Sequence, residues 1–283
     1  GSRSTKYAPT SKVHIIPAKN GSLTMPLKRT ALLPFLLAIS VTALVACKHL
    51  RPGGSAPAAA PSQKEIVEQI FARYTEAVGG QQAIESVTSY KTRGTFETSA
   101  ARIQGTFESW GKNPNKNLTR ITFPGIVEVT KGFDGQNQWV QTPFGTFSSA
   151  EGATEMSQME RDAEIYRAGK LKDLYYDLKL ENKVRLSGRD VYLVEGIPNK
   201  GPAEKLFFDT ESGLLVRWDM VRKVPNRGHV FVKVHLDDYR QVDGLKVPFK
   251  IRFAFESFDF TMKLDELKHN VSIDDAMFRK PRS

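Results

Sequence analysis

The chain has 283 residues, 40% hydrophobic and 25% charged, a balance that fits a globular protein and excludes a disordered or fibrous one. Its formal charge of +10 is concentrated upstream: six of the 41 basic side chains precede Cys47, with no Asp or Glu among them, which leaves 35 basic against 31 acidic residues beyond it. So mild a remainder removes the main support for a nucleic-acid partner, and none is expected.

Gly1 to Thr24 is polar and has neither helical nor strand period. Residues 1–24 are expected to be an upstream extension rather than native structure, ahead of a start at Met25. Met25 to Cys47 has the order of a secretory signal, with Lys28 and Arg29 before the apolar run Ala31 to Leu44 and small residues at its end. The run is shorter than the roughly 20 apolar residues that a spanning helix needs. Its ending, Leu44-Val45-Ala46-Cys47, resembles the lipobox of bacterial lipoproteins, in which the cysteine sulfur takes the lipid. Cys47 is the only cysteine, so an intramolecular disulfide and a thiolate metal cluster are both excluded. Residues 25–46 are therefore expected to be a lipoprotein signal peptide. Residues 47–61, rich in Pro, Gly, Ala and Ser, are expected to be a lipidated flexible tether.

The folded domain, residues 62–283, is predicted to open with a helix. Ser62 and Glu65 have capping-box spacing, Ile66, Val67, Ile70, Phe71, Tyr74 and Val78 share a stripe, and Gly79-Gly80 ends it. A shorter helical turn is expected over Gln81 to Val87. The period then changes to two. Alternating apolar positions run through Tyr90 to Phe96, Ile103 to Phe107, Thr119 to Phe123, Val127 to Val129 and around Trp139, with turn residues between them.

Ala153 to Asp177 is predicted to be one or two helices, carrying Met156 and Met159 and continuing its apolar face through Leu171, Leu174 and Tyr175. It is expected either to pack as ordinary core or to serve as a lid over a greasy ligand. Strands resume from Val184. The cleanest alternation is Leu245, Val247, Phe249, Ile251, Phe253 and Phe255 against a polar set, repeated by Phe258, Phe260, Met262 and Leu264. Pro248 places an edge or a bulge in that strand.

About ten or eleven such strands are too many for one flat sheet. The predicted class is mainly β (α+β), a curled antiparallel sheet forming an incomplete barrel with an N-terminal helix and a mid-chain helical lid. Two short helical stretches leave apolar surface on the hollow side uncovered, which argues for a ligand cavity. A β-sandwich whose halves fill each other is the alternative. Phe96, Phe107, Ile121, Trp139, Trp218, Val232, Phe253, Phe255 and Met262 are predicted to line the hollow wall.

Several stretches together resemble the periplasmic outer-membrane lipoprotein-sorting (LolA/LolB-like) family. They are the helix ending AVGG, WGKNPNKN at Trp110 to Asn117, KGFDG at Lys131 to Gly135, EKLFFDTESGLL at Glu204 to Leu215, DYRQVDGLKVP at Asp238 to Pro248, and KHNVSIDDAMF at Lys268 to Phe278. The resemblance implies a helix-closed incomplete barrel that receives acyl chains of a lipid or lipoprotein. With Cys47 as anchor, it implies an outer membrane lipoprotein facing the periplasm, acting in lipoprotein sorting or lipid transfer. An envelope scaffold without a transported ligand is a second reading.

An enzyme on the same scaffold is a third, less favoured reading. None of the histidines has metal-ligand spacing, and neither a phosphate loop nor a nucleophile elbow occurs. No cofactor or metal is expected. His235 with Asp237 and Asp238 is the one acid–base grouping, and it reads as a solvated strand end as readily as a site. Asp274 and Asp275 read as the first turn of a short helix.

Overall fold

The computed structural model describes residues 60–100, 103–148, 170–224 and 228–281. Helix α1 (Gln63–Val78) begins where its side chains say it should. The Ser62 hydroxyl accepts from the Glu65 amide, and the Glu65 carboxylate accepts from the Ser62 amide in return. Gly79, at φ 132, ends it against Gly244, whose carbonyl oxygen would lie 2.4 Å from any added Cβ. Its buried stripe is Val67, Ile70, Phe71, Tyr74 and Val78, each worth roughly 1.5–3 kcal/mol on leaving water. A one-turn helix, α2 (Gln81–Glu85), follows. Among the described residues no helix is long and apolar enough to cross a membrane.

The remainder is one antiparallel sheet. Its strands are β1 (Ser89–Thr98), β2 (Gln104–Lys112), β3 (Lys116–Phe123), β4 (Val127–Phe133), β5 (Gln138–Thr142) and β6 (Gly145–Ser148). After a 3₁₀ turn at Lys172–Leu174 come β7 (Tyr175–Leu186), β8 (Arg189–Pro198), β9 (Glu204–Asp209) and β10 (Leu215–Val224). Then follow β11 (Gly228–Val242), β12 (Leu245–Ala254) and β13 (Asp259–His269). The spatial order is β6-β5-β4-β3-β2-β1-β13-β12-β11-β10-β9-β8-β7, so the first and last strands of the chain meet in the middle. The described strands β6 and β7 stand at opposite ends of that order, and the barrel is not closed. A single sheet of this kind rules out the sandwich.

The described residues form 13 strands rather than ten or eleven, the excess including the four-residue β6, which is too short to show a period. The predicted mid-chain helix lies mostly outside the described residues. Where it is described, its end is corrected: Tyr175 to Asp177 begin β7, because Tyr175 is opposite Pro198 in a strand ladder and its ring lies over Gly196. Pro248 is tolerated because β12 hydrogen-bonds to β13 only from Lys250 to Ala254, which leaves its first half unpaired on that side.

The two faces of the sheet carry different cores. On the inner face, α1 packs against β7 and β12, and its stripe joins Val194, Leu206, Phe208, Leu215, Trp218, Met220, Val232, Val234 and Leu245 in one cluster. Phe71 and Tyr74 meet the Phe208 ring edge-on, with centroids 5.2 and 5.3 Å away. No side chain of β2 to β6 belongs to that cluster among the described residues. On the outer face, Trp110, Leu118 and Trp139 are covered by Ile273 and Phe278 of the C-terminal segment. That segment ends in a 3₁₀ turn, Asp275–Phe278, whose N-cap Asp274 accepts from the Ala276 amide. The expected short helix is thus present. Asp275 takes both Lys112 and Lys116, whose ammonium groups balance its charge.

Candidate functional site

Register decides which predicted lining residues share a wall. Directly opposed residues on neighbouring strands point to the same side. Ile121 is opposite Phe107, and Phe107 is opposite Gly94. Phe96 is opposite Met262, Met262 is opposite Ile251, and Phe260 is opposite Phe253. Val234 is opposite both Phe253 and Trp218, and Met220 is opposite Val232. Phe255 follows Phe253 by one strand period and packs against the inner cluster. One continuous inner wall therefore runs from β4 to β9 and carries eight of the nine predicted positions.

Trp139 is the exception and is corrected. It is opposite Gly132 on the outer face, its ring fills the space over that glycine, and its indole N–H donates to the Phe278 carbonyl at 2.8 Å. The alternation around it fits a strand facing the hollow, but a buried aromatic on the other face satisfies the same pattern.

The eight do not share one environment. Trp218 and Val232, 6% and 0% exposed, belong to the buried cluster that α1 joins. Trp218 and Tyr175 also donate to the buried Glu204 carboxylate, at 2.8 and 2.6 Å. Phe96 and Phe107 are almost wholly buried in the sheet's own aromatic floor. The Phe96 ring stacks on Phe260 at 5.2 Å, meets Phe123 edge-on at 5.0 Å and lies over Gly105, while Phe107 lies over Gly94. Ile121, Phe253, Phe255 and Met262 are half-buried.

Sequence reasoning left out the neighbours that complete this surface: Phe123, Val127, Val129, Ile251, Phe260 and Leu264, all half-buried. Their alternation is visible in the sequence, but which partner strand each meets is not. Together they make an apolar shelf on β1–β4, β12 and β13, beside the part of the wall that α1 covers. One cleft, of about 320 Å³, opens on the outer face among Thr95, Glu97, Thr106, Thr261 and Lys263. Another, of about 140 Å³, lies between α1 and Tyr192 and Phe208.

The acid–base grouping dissolves. His235 is not at a strand end but inside β11, opposite Arg217 and Arg252. Burial, and then Arg252 and Arg217, hold its pKa below the ordinary value, so it is neutral near pH 7. Asp238, at φ 53, turns its carboxylate to the Arg240 guanidinium at 2.6 Å. Arg217 in turn forks onto Asp219 at 2.6 and 2.5 Å. These carboxylates are engaged by guanidinium groups rather than by the histidine. Among the described residues no group of three His, Cys, Asp or Glu is arranged to hold a metal.

One rim of the sheet is apolar at its tips. The β3–β4 and β5–β6 turns lie at the same end of the strands and carry Ile126 and Phe144, 67% and 90% exposed. The turns of the opposite rim are built from Asn113-Pro114-Asn115, Asp134-Gly135, Glu211-Ser212-Gly213 and Asp243-Gly244.

No family model and no curated protein matches the chain. Solved structures do. A DUF1329 family protein from Desulfovibrio piger matches with a TM-score of 0.54 at 15% identity, over 75% of this chain and 97% of its own. A LolA superfamily protein from Nitrosomonas europaea matches with a TM-score of 0.51 at 14% identity, over 75% and 97%. A protein domain from Vibrio parahaemolyticus, assigned to outer membrane lipoprotein sorting, matches with a TM-score of 0.51 at 13% identity, over 75% and 96%. The chain has the LolA-like fold.

Proposed function

We propose that this chain is a membrane-anchored lipoprotein of the bacterial envelope whose inner shelf binds the acyl chains of a lipid or lipoprotein. In this reading residues 25–46 direct export and are removed, and Cys47 becomes the lipidated N-terminus. Residues 47–61 then tether the domain of residues 62–283 to the outer membrane on its periplasmic side. The observation that carries the reading is the shelf itself. Ile121, Phe123, Phe260 and Met262 are half-buried apolar side chains on the inner face, outside the cluster that α1 builds on β7–β12, and half-buried Phe253 packs at that cluster's margin. Apolar area left in water costs roughly 25 cal/mol per Å², and an acyl chain laid on the shelf removes it.

Two further observations agree with this reading. The exposed Ile126 and Phe144 tips suit work against a bilayer. The fold is that of the Nitrosomonas LolA superfamily protein and the Vibrio sorting domain, a likeness that supports lipoprotein sorting or lipid transfer as the proposed role. The test is mass spectrometry of organic extracts from the full chain carrying Cys47→Ser, purified without detergent from a bacterial host. Stoichiometric acylated lipid is the expected result. Lipid-free protein that also fails to take up a fluorescent fatty acid refutes the reading, and a co-purifying protein in its place favours the scaffold.

A further inference from the structure

The inner face of β1–β4 is not uniformly greasy. Its rows, read across the strands, are Phe96–Gly105–Phe123–Val127, then Gly94–Phe107–Ile121–Val129, then Thr92–Ser109–Thr119–Lys131, then Tyr90–Gly111–Asn117–Phe133. The third is polar at every strand. Strands lie about 4.8 Å apart, so this row is about 14 Å long, and it stands roughly 7 Å from the apolar row beside it. Thr92 and Ser109 are buried, and Lys131 is exposed at the open end.

The hydrogen bonds within the row leave one donor over. Thr92 donates to the Glu266 carbonyl at 2.7 Å, which commits its proton. Ser109 and Thr119 share one bond at 2.5 Å, and that bond uses only one of their two hydroxyl protons. The other is open to a further acceptor, and Lys131 is the next residue of the row beyond Thr119. Cross-strand hydroxyl pairs stabilise a sheet by only about 0.2–1 kcal/mol, less than apolar contacts would provide on an otherwise apolar wall.

We propose that Ser109, Thr119 and Lys131 form the head-group subsite of the acyl-binding shelf and select ligands with an anionic head. A carboxylate or phosphate oxygen accepts the uncommitted hydroxyl proton and lies against Lys131. The chain then runs over Phe107 and Ile121 towards Phe96 and Phe123, a span of about 13 Å along the strands. This rests on the acyl-binding reading above and adds direction and charge to it.

The test measures displacement of a fluorescent fatty acid from the full chain carrying Cys47→Ser by palmitate, methyl palmitate and a 16-carbon lysophosphatidic acid. At least one anion is expected to bind about tenfold or more tighter than the ester. Preference for palmitate identifies a free carboxylate, preference for the lysolipid a phosphate, and equal preference a general anionic head. Lys131→Met and Thr119→Val are each expected to remove most of that preference while the affinity for the ester holds, which also reports an intact shelf. Equal binding of anions and ester, or a preference that survives both substitutions, overturns the subsite and leaves acyl binding standing. Failure of all three ligands to bind overturns both.

Discussion

Replacing Phe208 and Phe253 separately by alanine tests the division of the inner wall into a filled part and an open shelf. Phe208 is 1% exposed and receives the edges of both Phe71 and Tyr74. Its loss removes transfer free energy and leaves a cavity under α1, about 3–5 kcal/mol for a buried Phe→Ala. With each kcal/mol moving Tm by about 2–4 °C in a domain of this size, the expected drop is roughly 10–15 °C. Phe253 is half-buried, so alanine there is expected to cost only about 1–2 kcal/mol, or roughly 5 °C. Binding should order them the other way. On the proposed reading Phe253→Ala removes part of the acyl-binding shelf and is expected to weaken fatty-acid uptake, while folded Phe208→Ala is expected to bind normally. Differential scanning calorimetry and a fluorescent fatty-acid titration on the same preparations provide the two numbers. Equal Tm losses, or a Phe208→Ala shift under about 3 °C, would show that α1 does not dock as described.

Asp275 is expected to shape acid stability. Lys112 and then Lys116 hold its carboxyl at about 2, below its ordinary 3.8, so its contribution is present above pH 3.8 and lost as pH falls through 2. Urea midpoints of Asp275→Asn should fall less steeply than wild type across that window, and parallel curves would contradict the pairing. His235 has a lowered folded pKa, so protonation disfavours the folded state as pH drops below 6.5. His235→Gln should flatten that limb and leave lipid content unchanged, whereas a loss of bound lipid would bring the histidine back into the site. Trp139→Phe deletes the donor to the Phe278 carbonyl and is expected to cost about 1–3 kcal/mol, read as faster proteolysis of the C-terminal segment. An unchanged cleavage rate would mean that the segment is held by its ion pairs instead.

The local code carried much of the fold. The Ser62 and Glu65 spacing, the α1 stripe and the alternation in β12 and β13 are local features, and local sequence reports them. The pairing of β1 with β13 is not local: it joins Tyr90 to His269 across most of the domain, and nothing near either residue announces it. That pairing makes Phe96, Met262 and Phe260 neighbours, so the shelf could be expected as a quantity of apolar surface but not drawn as a place. Trp139 shows the limit most clearly. Alternation separates two faces without saying which is inner, and a C-terminal segment with its own apolar residues turned the outer face into a second core. Trp218 and Val232 were expected on the right wall, but only the position of α1 shows that the protein itself occupies that part of it. The polar row was overlooked because its members, separate in sequence, become a line only in register.

The two rings that rest on Gly94 and Gly105 lie on positions that only glycine can occupy. A methyl group at Gly105 would fall 2.6 Å from the Phe96 ring, and one at Gly94 2.9 Å from that of Phe107. Both glycines also face backbone oxygens, at 2.2 and 2.0 Å, that do not move aside, so neither can grow even if the aromatic across from it shrinks. Substitution at these two positions is therefore closed on this side of the shelf. On the proposed acyl-binding reading, adaptation to bulkier or slimmer ligands falls to Phe253, Phe260 and Met262, half-buried side chains that can be traded one at a time.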